Sequence, residues 1–284
     1  MTFEEYKDAV NSYEINLERS MLSCKNDYDM GELDDIKRMC DIISEKTIPV
    51  STAIFEPTQE KMLAPYFLES VEQLDNKRIN NFYLDKTRIT KISRNKQFKT
   101  GDAEIEYLCS STIGNKFKIN ITSLDLTMSD QMGYAHEMGH IPHIEKPRDD
   151  FLEYYDTLSI FMEYLVALRR TKDPKLAFDY FLRERLLPEQ KEAKSIVEIY
   201  KEILNSKGIA RRYYTHQLQK NYKYLESLEF AIQLIDIMGE DKAPVIEEIE
   251  KVLDGYSLES TADNLGIETY GCKRLQQEYQ RIGR

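Results

Sequence analysis

The chain has 284 residues, 41% of them apolar and 31% charged, which is typical of a globular protein with a sizeable core. The formal net charge of −11 argues against nucleic acid as a general partner. No run reaches the roughly 18 apolar residues of a membrane-spanning helix, and the N-terminus lacks the apolar core of a secretory signal, so we expect no membrane partner. The four scattered cysteines form no C-x-x-C pair, and we expect reduced thiols in a cytoplasmic protein.

Helical periodicity dominates the beginning of the chain, and short alternating segments follow it. Three amphipathic helices are predicted first, at residues 2–24, 31–46 and 58–76. Three strands are predicted next, at residues 87–92, 103–109 and 116–122. The turn at Ile113-Gly114-Asn115 is predicted to join the last two strands as a hairpin.

Beyond residue 127 the pattern is helical almost to the end of the chain. Thr127 or Ser129 is predicted to cap the first helix of this part. The later helices are predicted at residues 151–171, 174–186, 188–207, 210–238, 242–254 and 271–282. The sequence therefore predicts a mainly α fold with one small antiparallel sheet just before the helix that Thr127 or Ser129 caps.

That helix carries three of the four histidines of the chain, in the sequence A-H-E-M-G-H-I-P-H. On a helix, His136 and His140 project from one face, so both imidazoles can reach one metal ion. Glu137 lies beside them, where it can take a proton from a water that the metal activates. His143 shares the region, but Pro142 leaves its direction open, and we expect it beside the metal or the substrate rather than on the metal.

A catalytic zinc site needs a third protein ligand and an open position for water. Three acidic side chains, Glu153, Asp156 and Glu163, share one face of the next predicted helix. Glu163 lies among apolar residues, where an unpaired carboxylate is costly to bury. A metal ion would remove that cost, and so would an ion pair with Arg169 or Arg170.

Residues 119–143 resemble the catalytic core of the thimet oligopeptidase and oligoendopeptidase F group of zinc peptidases. That family has a strand, a short loop and A-H-E-x-G-H-x-x-H, and its third ligand is a glutamate on a following helix that often begins S-I-F. The sequence S-I-F-M-E at 159–163 occupies the corresponding place, so the resemblance implies Glu163 as the third ligand. A second alignment, on the family's E-x-x-S-x-x-x-E run, implies Asp156 as the ligand, Ser159 as the serine and Glu163 as the second glutamate.

The resemblance also implies a zincin-like helical catalytic domain. It would occupy residues 111–284, and residues 1–110 would form a mostly helical N-terminal region that contains the start of the sheet. The family binds substrate and stabilises the oxyanion with histidine and tyrosine side chains on a later helix. His216, Tyr222 and Tyr224 are implied in that role here.

Together these observations predict a zinc-dependent metallopeptidase with one Zn²⁺ per chain, held by His136, His140 and Glu163. Glu137 would act as the general base. The substrate would be an oligopeptide or a flexible protein segment, held by backbone pairing along the strand at 116–122.

Two alternatives belong to other functional classes. The motif is also similar to that of ImmA/IrrE-like proteases, which cleave a single protein target, although the E-A-N-x-F-A-x-x-L-L-M-P run of those proteins is not found here. The second alternative is a catalytically silent pseudo-peptidase that binds a peptide. The intact Glu137 argues against it. A structural zinc site is disfavoured because no cysteine lies near the histidines.

Overall fold

The computed structural model describes residues 30–46, 59–94, 103–108, 116–121, 126–145, 156–256 and 258–283. These residues are mainly helical and contain one small sheet, which confirms the coarse prediction of the fold class. None of the helices described is long and apolar enough to cross a membrane. The helices are α1 (Met30–Ser44), α2 (Leu63–Val71), α3 (Lys77–Ile89), α4 (Met128–Glu145), α5 (Thr157–Thr171), α6 (Pro174–Asn205), α7 (Gly208–Glu240), α8 (Lys242–Leu253), α9 (Leu258–Leu265) and α10 (Lys273–Ile282). The strands are β1 (Thr90–Arg94), β2 (Ala103–Leu108) and β3 (Lys116–Ile121).

The chain divides into two compact units. The first unit comprises residues 1–46 and 189–225, and the second comprises residues 47–188 and 226–284. Within the first, the Gln190 side chain donates to backbone carbonyls at the end of α1, so it satisfies groups that the helix itself cannot pair. The second unit contains the sheet and the helix with the H-E-x-x-H motif. The predicted division between residues 110 and 111 stays a prediction.

The sheet is mixed, so the prediction of an antiparallel sheet was wrong in part. Its strand order is β1-β3-β2, with β2 antiparallel to β3 as expected but β1 parallel to it. The central strand β3 buries Phe117, Ile119 and Ile121 on one face. Because β3 is paired along both edges, a peptide cannot add to it, and the predicted role of 116–122 as the substrate-pairing strand is also wrong.

The first strand begins later than predicted because a helix occupies the residues before it. Asn76 caps α3 by accepting a hydrogen bond from the backbone N–H of Ile79 at 2.9 Å. The helix then continues to Ile89, and the extended conformation starts only at Thr90. The β-branched residues at 87–92 favoured a strand locally, but the capped helix extends through residues 87–89.

Helix α4, which carries the histidines, begins with a reciprocal cap. The Asp130 carboxylate accepts hydrogen bonds from the backbone N–H and the hydroxyl of Thr127, at 2.7 and 2.8 Å, and the Asp130 N–H donates to Thr127 Oγ1. The helix also runs past Pro142 to Glu145. Most of its residues are buried, on all sides of the helix, so it is enclosed by the second unit rather than lying on its surface.

The neighbours of α4 are the helices α2, α5 and α8 and the strands β2 and β3. Aromatic ring contacts also join α4 to α2, and α2 to α3. The Phe67 ring meets the Tyr83 ring edge-on, with centroids 5.2 Å apart, and it meets the Tyr134 ring at 6.0 Å. Since Tyr134 lies two residues before His136, this packing fixes the start of the motif.

Two predictions for the later helices were wrong in their boundaries. The helices predicted at 174–186 and 188–207 are one helix, α6, which contains Pro188. Helix α9 was not among the helices predicted from periodicity. The last helix, α10, starts where the buried carboxylate of Glu229 accepts hydrogen bonds from the backbone N–H groups of Arg274 and Leu275, at 3.0 and 2.6 Å.

Helices α4 and α5 are in close backbone contact at Gly139 and Ser159. A Cβ atom added to Gly139 would lie 2.5 Å from Cα of Ser159 and 2.9 Å from its backbone nitrogen. Glycine is therefore required at this position because its missing side chain lets two backbones touch. The contact brings the face with His136 and His140 against the first two turns of α5.

We expect Gly139→Ala to destabilise the protein by about 1–3 kcal/mol or more, because the methyl group would push α5 away from α4. Urea denaturation followed by circular dichroism measures the change. The matched control is Gly239→Ala, near the end of α7, where an added Cβ meets nothing within 4 Å. That substitution should be neutral or raise stability by up to about 1 kcal/mol. Equal effects of the two substitutions would contradict the close approach.

Candidate metal centre

Three side-chain atoms from α4 and the start of α5 converge in the second unit. Nε2 of His136 and Nε2 of His140 are 3.1 Å apart. Oδ1 of Asp156 lies 3.7 Å from the first and 3.4 Å from the second. Among the residues described, these three form the one group whose ligand atoms lie close enough together to hold a metal ion.

The distances fit a tetrahedral metal ion. Zinc bonds of about 2.0–2.1 Å at tetrahedral angles put neighbouring ligand atoms about 3.3 Å apart. The three observed separations lie on both sides of that value. The His140 and Asp156 side chains are buried, and 17% of the His136 side chain is exposed. Two histidines and one carboxylate are the kind of donor set that a catalytic zinc ion takes.

The position of Asp156 explains why its carboxylate is available. It is the residue that caps α5, and its backbone carbonyl accepts from Ile160 N–H at 2.8 Å. An aspartate at this position ordinarily uses its side chain to pair an N–H of the first turn. In the described part of the chain the side chain makes no such bond, and Oδ1 lies beside the histidines instead.

Glu163 contacts the same cluster from the other side of the His136 ring. It lies two turns after Asp156 on the same face of α5, and its Oε1 is 2.7 Å from Nδ1 of His136. The residue predicted as third ligand therefore contacts the ring nitrogen that faces away from His140 and Asp156. A carboxylate in this position accepts the Nδ1–H hydrogen, which leaves the Nε2 lone pair free for a metal.

Arg185, on α6, supplies the positive charge that pairs with Glu163, and no sequence pattern pointed to it. Its Nε donates to Oε2 of Glu163 at 2.5 Å, and its Nη2 forms an ion pair with Oε1. Arg169, one of the partners considered for Glu163, pairs with Glu69 instead. Because Glu163 is 1% exposed, the guanidinium supplies the charge that its burial requires.

The surroundings keep both imidazoles neutral. Burial, with Arg185 and His140 adding to it, holds the pKa of His136 well below its usual value. Burial, with His143 and Arg185 adding to it, lowers the pKa of His140 to about 3. Burial raises the pKa of Asp156 to about 6, against the opposing effect of Arg185. At pH 7 the site therefore offers two neutral imidazoles and a mostly ionised carboxylate, the protonation state that metal binding requires.

Glu137 is buried, with 7% of its surface exposed. It follows His136 directly and precedes His140 by three residues on α4, so it shares the rigid frame of both ligands. His143, in the last turn of the same helix, is buried too, but it does not belong to the group of three.

The other residues named from the sequence are distributed as follows. Glu153 lies outside the described residues. His216, Tyr222 and Tyr224 all lie on α7, in the part of that helix that belongs to the first unit. Tyr222 is fully buried and Tyr224 is 38% exposed. Their roles at the oxyanion stay predictions.

Comparison of the chain with protein-family models, curated proteins and solved structures gives no match. The geometry of the second unit therefore carries the functional argument by itself.

His143 provides a pH test of this buried cluster. Burial lowers its pKa to about 4 from an unperturbed 6.5. Between those values the unfolded chain binds a proton that the folded protein does not, so His143 lowers the stability as pH falls through this window. We expect His143→Gln to reduce the loss of stability by up to about 1.4 kcal/mol per pH unit. Urea denaturation of the metal-free protein between pH 7 and 5 measures it, and identical slopes for the two proteins would contradict the buried, neutral histidine.

Proposed function

We propose that this protein is a metal-dependent peptidase whose metal, Zn²⁺, is held by His136, His140 and Asp156. This ligand set replaces Glu163, the residue favoured by the sequence, with Asp156, the alternative from the second alignment. Glu163 then orients His136 from behind. The observation that carries the proposal is the convergence of Nε2, Nε2 and Oδ1 at distances that suit one tetrahedral ion, with a carboxylate on the opposite ring nitrogen of His136.

The chemistry follows from the groups around that point. When bound, the metal would act as a Lewis acid toward a water molecule and the scissile carbonyl. Glu137 would take the proton from the water and deliver it to the leaving amine, which is general base and then general acid catalysis by one carboxylate. Asp156 and Glu163 hold the two sides of the His136 ring, so the ring keeps one orientation throughout the reaction.

A substrate peptide would add to β2 rather than to β3. Among the described strands, β2 pairs on one side only, and it packs directly against α4. The other edge strand, β1, packs against α3. Backbone pairing along the outer edge of β2 would therefore lay an extended peptide beside the helix that carries the metal ligands.

Two substitutions distinguish the metal ligand from the residue behind it. We expect Asp156→Ala to weaken zinc binding by more than about 100-fold, because it removes a ligand atom. We expect Glu163→Gln to weaken it by about 10–100-fold, the range for partners of a ligating histidine. Competition with a zinc chelator measures both affinities.

Asp85→Ala is the control for the loss of an acidic side chain, since Asp85 is exposed and pairs only at the surface with Arg88. It should leave zinc affinity unchanged. If Glu163→Gln weakened binding more than Asp156→Ala did, the ligand assignment would be reversed.

The peptidase reaction itself is tested with Glu137→Gln. We expect wild-type protein to cleave members of a mixed peptide library and Glu137→Gln to cleave none, while both hold one zinc per chain, because the variant loses the base but no ligand. Mass spectrometry of the products and metal analysis of both proteins make the measurement.

Zinc-loaded wild type that cleaves no peptide would overturn the general peptidase and favour cleavage of a single protein target or binding without cleavage. Absence of zinc from both proteins, even after loading, would overturn the metal centre.

A further inference from the structure

Arg185, on α6, contacts the candidate centre from outside α4 and α5. It uses two nitrogens on one edge of its guanidinium: Nε contacts Oε2 of Glu163 at 2.5 Å, and Nη2 contacts Oε1. This bidentate geometry fixes the plane of the carboxylate as well as its position. Lysine, which carries a point charge, could not hold the same plane.

The carboxylate so fixed has little freedom of its own. Glu163 is 1% exposed and lies on the fully packed face of α5. A buried carboxylate without a partner is costly, and it would rotate or draw in water if Arg185 were removed. The orientation of Oε1 toward Nδ1 of His136 therefore depends on Arg185.

Two groups compete for Nδ1 of His136, and they require opposite tautomers. Oε1 of Glu163, at 2.7 Å, can only accept, so it selects the tautomer with hydrogen on Nδ1. Nη2 of Arg185, at 2.9 Å, can only donate, so it would select the tautomer with hydrogen on Nε2. Only the first tautomer leaves Nε2 able to bind a metal.

We propose that Arg185 is a positioning residue: by binding both oxygens of Glu163 it fixes the carboxylate on Nδ1, and Glu163 then holds His136 in the tautomer that can bind a metal. The guanidinium acts through the carboxylate and touches no reacting atom. The metal part of this inference rests on the proposed function, whereas the tautomer part does not, because it applies equally to the metal-free protein.

The experiment measures the tautomer and the metal affinity in one set of variants. Because the chain has only four histidines, ¹⁵N-labelled histidine gives a spectrum in which each ring can be assigned by single substitution. In metal-free wild type we expect His136 to carry its hydrogen on Nδ1. In Arg185→Met the Glu163 carboxylate is no longer fixed on Nδ1, so we expect a mixture of tautomers, and zinc binding weaker by about 10–100-fold.

Two further variants keep the test valid if Arg185→Met folds poorly. Arg185→Lys retains the positive charge but cannot bind both oxygens of Glu163 in one plane, so it should give an intermediate zinc affinity. The double variant Glu163→Gln with Arg185→Met buries no unpaired charge and should bind zinc as Glu163→Gln alone does, since Arg185 acts through Glu163. The control is Arg169→Met on α5, which breaks a half-exposed ion pair with Glu69 of α2 and should change neither the tautomer of His136 nor the zinc affinity.

The possible failures are distinguishable. Zinc affinity and tautomer unchanged in Arg185→Met would overturn the positioning role and leave the proposed metal centre standing. If the loss of zinc affinity in the double variant equalled the product of the losses in the two single variants, the positioning role would also be overturned, because Arg185 would then act independently of Glu163. If the wild type bound no zinc, and Arg185→Met lost the tautomer preference of His136 that the wild type shows, the proposed function would be overturned and the positioning role supported.

Discussion

The contact between the backbones of α4 and α5 at Gly139 and Ser159 sets the geometry of the candidate centre. His140 lies one residue after the contact on α4. Asp156 and Glu163 lie about one turn before and one turn after it on α5. Residues about one turn apart lie on the same face of a helix, so a single close approach brings the face with the histidines against two carboxylates on successive turns of α5. The Asp156 carboxylate lies beside Nε2 of both histidines, and the Glu163 carboxylate lies beside Nδ1 of His136. A wider separation of the helices would disperse the whole group.

The fold illustrates which features sequence patterns predict. Features fixed by neighbouring residues were predicted well: the Thr127 cap, the strong helical periods and the antiparallel pairing of β2 with β3. Features fixed by distant residues were not. The parallel pairing of β1 with β3 joins segments that are far apart in the chain, and no local pattern records it. Likewise, the apparent break at Pro188 is absorbed within α6, because packing along a long helix can outweigh one missing hydrogen bond.

At the site, the motif predicted the convergence of His136 and His140, since spacing on one helix determines it. The acidic face of the next helix supplied Asp156 and Glu163, which both lie beside the histidines, but not which of them lies on the Nε2 side, because spacing on a helix does not fix which turn faces its neighbour. The burial of Glu163 among apolar residues was read as a sign of a metal contact. It is explained as well by the ion pair with Arg185 and the hydrogen bond to the neutral His136 ring. Arg185 comes from a third helix and carries no motif, so only the tertiary structure identifies it.

The enclosure of α4 has a consequence for how the protein could acquire a metal. The helix is capped and packed against three helices and two strands of the second unit, and this packing holds the elements that carry its two imidazoles and the Asp156 carboxylate. In small zinc domains the ion must order the chain, so binding and folding are one event. Here a buried apolar core packs the elements that carry the three groups. If the proposed centre binds a metal, exchange of the ion would therefore leave the protein's architecture intact, and the identity of the ion would follow the supply of metals around the folded protein rather than the moment of its synthesis.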